Sequence, residues 1–241
     1  MIRAALFAAL TLVLAAPAAR ATECRLALLL ALDVSSSVDA HEDKLQRLGL
    51  AAALTSPSVQ AAFFNAPKPV ALAVYEWSGI SRQNLLLNWT VIETPQSLHQ
   101  SAARLGLCKR QTTEFPTALG HAVVFASTLF EKAPRCDMQV LDVSGDGANN
   151  DGVTPKRAYK LFPLDGVIVN GLAIETFGAK AAVLGAKPGD MAAYYRSELI
   201  KGPGAFVEVA KGFDDFERAM RRKLERELSM PVFGALHAPR K

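Results

Sequence analysis

Along the chain, short apolar runs alternate with stretches of helical spacing. Residues 25–32 (RLALLLAL) form a continuous apolar run closed by Asp33. Its length and polar ending suit a buried parallel strand, although a leucine-rich run also fits a helix. Over 40–55 the apolar spacing is helical, until Ser56-Pro57 interrupts it. Residues 69–77 (PVALAVYEW) and 85–92 read as two strands, with Ser78-Gly79 opening the turn between them. Thr94-Pro95 starts a helix running to about Leu105, with Pro95 in the first-turn position that tolerates it. After a loop carrying Cys108, Thr117 is placed as the N-cap of a helix over 118–131.

The second half continues the alternation. Residues 138–143 (MQVLDV) read as a strand ending in Ser144-Gly145-Asp146-Gly147, 155–162 as a short helix and 167–174 as a strand. A further strand over 205–210 is entered from Gly202-Pro203-Gly204, and an amphipathic charged helix over 214–228 closes the pattern. From residue 230 the Pro, Gly and basic residues predict a frayed tail. Alternating strands and helices predict an α/β fold: a doubly wound, mainly parallel sheet with helices on both faces, in one domain over 22–229.

The N-terminus changes the picture. Arg3 and the apolar stretch 4–16 precede Ala19-Arg20-Ala21, the pattern of a secretory signal over 1–21 with cleavage before Thr22. Its apolar stretch is short for a membrane span, and no second run of that length follows. The expected location is therefore periplasmic or secreted, without a stable membrane span after cleavage. Net charge is +4, and two of the positive charges, Arg3 and Arg20, lie in the leader. There is no basic stripe interleaved with aromatics, which argues against a nucleic-acid partner. Three cysteines, Cys24, Cys108 and Cys136, permit one internal disulfide in an exported chain.

Candidate chemistry concentrates at Asp33-Val34-Ser35-Ser36-Ser37, where the first strand ends. In an open α/β sheet, ligands bind beyond the carboxyl ends of the strands, where strand order reverses. Asp33, Ser35 and Ser37 alternate along the turn, so their side chains can converge as hard oxygen donors. Such donors suit magnesium, calcium or manganese, not zinc. Asp146 offers a second carboxylate at the end of a later strand, and the Thr117 hydroxyl either caps its helix or ligates. Asp142 reads as a structural carboxylate, Asn149 and Asn150 as turn formers. His41, His99, His121 and His237 lack metal-ligand spacing. No Gly-x-Ser-x-Gly elbow, phosphate-cradling glycine loop or paired nucleophile and histidine is present, so no enzyme is expected.

Asp33-x-Ser35-x-Ser37, a threonine in a later loop and Asp146-Gly147 resemble the metal-ion-dependent adhesion site of von Willebrand factor A domains. More narrowly, residues 141–147 (LDVSGDG) with Asn149-Asn150, Tyr194-Tyr195 and Gly202-Pro203-Gly204-Ala205-Phe206 resemble a bacterial secreted family catalogued only as a domain of unknown function (1194). The resemblance spans essentially the whole chain after the leader. It implies one divalent cation, Mg2+ foremost and Mn2+ or Ca2+ as alternatives. Ser35 and Ser37 would ligate directly, Asp33 and Asp146 largely through water, and Thr117 as the third hydroxyl. Thr113 is the alternative to Thr117. One position would stay open for an acidic side chain from a protein partner. The resemblance also makes the strands after Cys24 and Cys136 neighbours, which pairs these two cysteines and leaves Cys108 over. The alternatives to a metal-dependent binding module are a relic of the fold that holds no metal and a metal-assisted hydrolase.

Overall fold

A computed structural model describes residues 23–110, 114–177, 187 and 189–230. The signal-peptide reading, Thr113 and the tail beyond residue 230 lie outside the described residues. The elements in chain order are β1 (Cys24–Asp33), α1 (Ala40–Thr55), α2 (Pro57–Phe64), β2 (Val70–Trp77), β3 (Gln83–Ile92), α3 (Pro95–Leu107), α4 (Leu119–Phe130), β4 (Cys136–Gly145), α5 (Pro155–Leu161), β5 (Val167–Ile174), α6 (Asp190–Glu198), β6 (Val207–Ala210) and α7 (Phe216–Leu228). The strands form one sheet in the order β3-β2-β1-β4-β5-β6. All neighbours are parallel except β2 and β3, which form an antiparallel pair.

The leucine-rich run is a strand, and its alternation explains why. Successive strand side chains point to opposite faces. Leu26, Leu28, Leu30 and Leu32 pack on one face with α1, α2, α3 and α7. Ala27, Leu29 and Ala31 pack on the other with α4, α5 and α6. Both faces are covered, so every residue of β1 is buried, and the strand shows no apolar/polar alternation in sequence.

Caps set the helix boundaries. Asp39 accepts from the His41 and Glu42 N–H groups while Glu42 reaches back to the Asp39 N–H, a complete capping box for α1. Thr94 caps α3 with Pro95 in its first turn. Two helices were not expected from sequence. Ser56-Pro57 does end α1, yet Pro57 starts α2 at once, because a first-turn proline needs no N–H partner. Helix α6 is short, and only Ala192 and Tyr195 are buried in it.

At the amino ends of β1 and β4, Cys24 and Cys136 are register partners and are joined by a disulfide. Cys108, at the end of α3, is free and half-buried. Among the described residues no helix is long and apolar enough to cross a membrane.

Candidate metal centre

Strand order reverses between β1 and β4: the chain builds outward from β1 through β2 to β3, then returns to lay β4 on the other side of β1. The loops leaving β1 and β4 diverge there and open a crevice. Asp33 ends β1 and Asp146 follows β4 by one residue.

The turn after β1 is held from several sides. The Ser35 N–H donates to Asp33 Oδ1 at 2.7 Å. Arg110 donates to the carbonyls of Val34, Ser35 and Val38 at 2.6, 2.9 and 2.6 Å. From α1, Gln46 Nε2 donates to the Asp33 carbonyl at 2.9 Å, and Gln46 Oε1 accepts from Ser144 Oγ at 3.3 Å, tying the ends of β1 and β4 together. Neither Arg110 nor Gln46 was found from sequence. Each acts through tertiary contacts and belongs to no local motif.

Across the crevice, Ser37 Oγ donates to Asp146 Oδ1 at 2.6 Å, and the Ser35 and Ser37 hydroxyl oxygens are 3.1 Å apart. Asp33 lies beneath them, fully buried, and its Oδ2 has no hydrogen-bond partner. Burial, then the neighbouring Asp146 charge, push its carboxyl up to about 7 against the opposing hydrogen bonds of the Ser35 N–H, the Ser35 hydroxyl and the Asp146 N–H. A buried carboxylate with one oxygen unpartnered, beside a second carboxylate, is an arrangement that a cation stabilises.

Thr117 does not cap α4. The N-cap position is Ala118, which makes no side-chain cap bond. Asn149 and Asn150 take over instead: Asn149 Oδ1 accepts from the Gly120 N–H at 2.9 Å and Asn150 Oδ1 from the Thr117 N–H at 2.8 Å. The Asn150 N–H returns to the Thr117 carbonyl at 2.9 Å. These asparagines therefore fix the Thr117 loop against the loop after β4, and the Thr117 hydroxyl is spared a capping role. Thr117, Ser37 and Asp146 line one cleft of about 520 Å³, together with Gly147, Asn149 and Met191. Asp33 and Ser35 sit behind that lining, so a cation entering the cleft meets Ser37, Asp146 and Thr117 first.

Asp142 and His121, neither read from sequence as a ligand, lie apart from the centre. Asp142 faces α7, where its Oδ1 lies 2.9 Å from Lys223 Nζ. His121 packs against Gly152, where an added Cβ would come within 2.5 Å of its Nε2. Among the described residues no three His, Cys, Asp or Glu side chains gather as a metal site. The centre has two carboxylates, and its remaining donors are hydroxyls. That hard oxygen set, with one buried carboxylate oxygen unpartnered, fits a divalent cation that keeps water ligands.

Gly145, between the two loops, admits no side chain. A Cβ there would stand 2.6 Å from Tyr195 Oη and 2.7 Å from Asp33 Oδ2. Gly145→Ala should therefore cost about 1–3 kcal/mol through overpacking. Urea unfolding in EDTA measures it, and a loss under about 0.5 kcal/mol would show that the site has slack.

The sheet order, the two-sided helical cover and the Asp-x-Ser-x-Ser turn opposite an aspartate define a von Willebrand factor A-type fold. Structures of this type match over most of the chain. A von Willebrand factor type A protein from Catenulispora acidiphila matches at TM-score 0.56 and 15% identity, covering 85% of this chain and 43% of that one. Proximal thread matrix protein 1 from the mussel byssus, with a zinc-occupied MIDAS motif, matches at TM-score 0.57 and 16% identity, covering 86% and 46%. The pilus adhesin SpaC from Lactobacillus rhamnosus GG matches at TM-score 0.57 and 11% identity, covering 85% and 31%. The chain thus spans less than half the length of each of these proteins. No protein of curated function matches the sequence. The model of the family described as "Protein of unknown function (DUF1194)" matches residues 23–232, and the chain belongs to that family.

Proposed function

We propose that this chain is an exported binding module that holds one divalent cation at Asp33, Ser35, Ser37, Thr117 and Asp146 and uses it to grip an acidic side chain of a protein partner. The observation that carries the reading is Asp33 Oδ2: a fully buried carboxylate oxygen with no hydrogen-bond partner, beneath a cleft lined by a second carboxylate and two hydroxyls. When bound, the ion would supply Lewis acidity toward an anionic ligand. Ser35, Ser37 and Thr117 are neutral direct donors, so the ion would keep its Lewis acidity toward a carboxylate. Asp33 and Asp146 match the charge of a divalent ion, and Arg110 holds the carbonyls of the turn that carries Ser35 and Ser37. Mg2+ is the first choice for an oxygen site that keeps waters, with Mn2+ and Ca2+ next. The zinc in the byssus protein's motif adds Zn2+ to the panel.

A thermal melt tests this. In EDTA the wild type and Asp33→Ala set the baselines, and each cation is then added back. An ion that binds only the folded chain raises stability by about 2.7 kcal/mol at a hundredfold excess over its Kd. The expected result is a rise in wild-type Tm that grows with cation concentration and is absent from Asp33→Ala. A wild-type melt that no cation shifts refutes the metal-dependent reading.

A further inference from the structure

The sheet carries a glycine slot on the face shared with α4, α5 and α6. Gly171 of β5 and Gly145 of β4 lack side chains where Tyr195 of α6 crosses. A Cβ on Gly171 would stand 2.5 Å from Tyr195 Cδ2, and one on Gly145 would stand 2.6 Å from its Oη. The ring thus lies in the slot with its hydroxyl at the end of β4. The same Gly145 position is 2.7 Å from Asp33 Oδ2, so the phenol oxygen and the carboxylate oxygen flank the same point. Both are buried and neither has a hydrogen-bond partner. Tyr195 is fully buried, and a phenol in such a place ordinarily has an acceptor.

We propose that Tyr195 is a positioning residue for the cation: its hydroxyl, which makes no hydrogen bond in this structure, is the group placed to donate to Asp33 Oδ2, while the Ser35 N–H holds Oδ1. The proposal rests on the metal reading above. With both oxygens held, the carboxylate keeps one orientation toward the cleft and the ion finds it preorganised. Outer partners of this kind commonly change metal affinity by roughly 10–100-fold when removed. Neither atom has another partner to give up, and two strands have forgone side chains to let the tyrosine reach Asp33. Tyr195 also makes α6 part of the site, although α6 supplies no ligand.

The test uses the chain after its leader. Titration calorimetry with Mn2+ compares wild type, Tyr195→Phe and Tyr159→Phe, the last removing a half-buried phenol that donates to the Leu199 carbonyl. Expected is at least tenfold weaker binding by Tyr195→Phe, with Tyr159→Phe within twofold of wild type. Equal affinities for wild type and Tyr195→Phe overturn the proposal. Melts in EDTA of Tyr195→Phe, Asp33→Asn and the double variant read the contact without any ion. Non-additive Tm shifts support the hydroxyl–carboxylate contact, and additive shifts overturn it. If the wild type binds no cation at all, the metal reading fails with the positioning role, and the cycle in EDTA still decides the contact separately.

Discussion

Replacing Lys223 by methionine is expected to lower the unfolding free energy by about 3–5 kcal/mol at pH 8, the range for stripping one partner from a buried ionic group. Lys223 of α7 is fully buried and stands between two carboxylates: Asp142 Oδ1 at 2.9 Å and Glu227 Oε1 at 2.5 Å. Asn170 Nδ2 also donates to Glu227 Oε1 at 2.8 Å. The ammonium is close enough to Asp142 for an ion pair, but neither Asp142 oxygen has a hydrogen bond of good geometry. Two buried acids flank one buried base. Burial, offset by Lys223 and reinforced by Glu227, pushes Asp142 from 3.8 up to about 7.

The sign of the pH dependence follows. Between about pH 4 and 7 the folded chain holds a proton on Asp142 that the unfolded chain has released, so stability falls as pH rises through that window. Asp33 contributes in the same direction when no cation is present. The Asp142 share is therefore read as the difference between wild type and Asp142→Asn, whose stability should vary less from pH 4 to 7. In Lys223→Met the two carboxyls lose the buried cation between them, so the penalty should be largest at pH 8, where Asp142 is ionised, and should shrink toward pH 5, where it is protonated. Urea unfolding at the two pH values checks this. A penalty that is the same at both would mean that the cost is lost packing of the lysine stem and not unpaired charge.

Removing the Cys24–Cys136 bridge is the other large effect. The bridge closes a loop spanning a sequence separation of 112, for which the chain-entropy relation gives about 4–5 kcal/mol and removal of native bridges typically costs about 2–5. Cys24→Ser with Cys136→Ser should lose that much in urea unfolding, and reduction of the wild type should lose a similar amount. The cation affinity should change by less than about twofold. The bridge sits at the amino ends of β1 and β4, whereas Asp33 and Asp146 lie at the carboxyl ends, roughly 30 Å away at the rise of a parallel strand. A large loss of affinity on reduction would instead show that the bridge sets the spacing of the two strands as far as the site.

Local pattern made much of this molecule legible. The apolar run before Asp33, the alternating strands and helices, Pro95 behind Thr94 and the glycine turn before β6 each act within a few residues, so their signals survive in one dimension. Pro57 shows where such signals divide: a proline marks both the end of one helix and an allowed start for the next, and only the packing of Val59, Ala62 and Phe63 in the core selects the second helix. Helix α6 left a weaker trace, since most of its surface faces solvent and only Ala192 and Tyr195 are buried in it.

The candidate site divides in the same way. The sequence by itself determined the donor types, because Asp33, Ser35 and Ser37 alternate on one turn after one strand, and it marked Asp146 by its place after another. The tertiary structure alone decided how those donors are held. Asn149 accepts from the Gly120 N–H 29 residues away and Asn150 from the Thr117 N–H 33 residues away, Arg110 grips the turn from 72 to 76 residues away, and two glycines on different strands make room for Tyr195 beside Asp33. The physical reason is range. Capping and periodicity are short-range properties of a helix or strand, whereas the orientation of a buried carboxylate depends on whichever donors the folded chain brings to it.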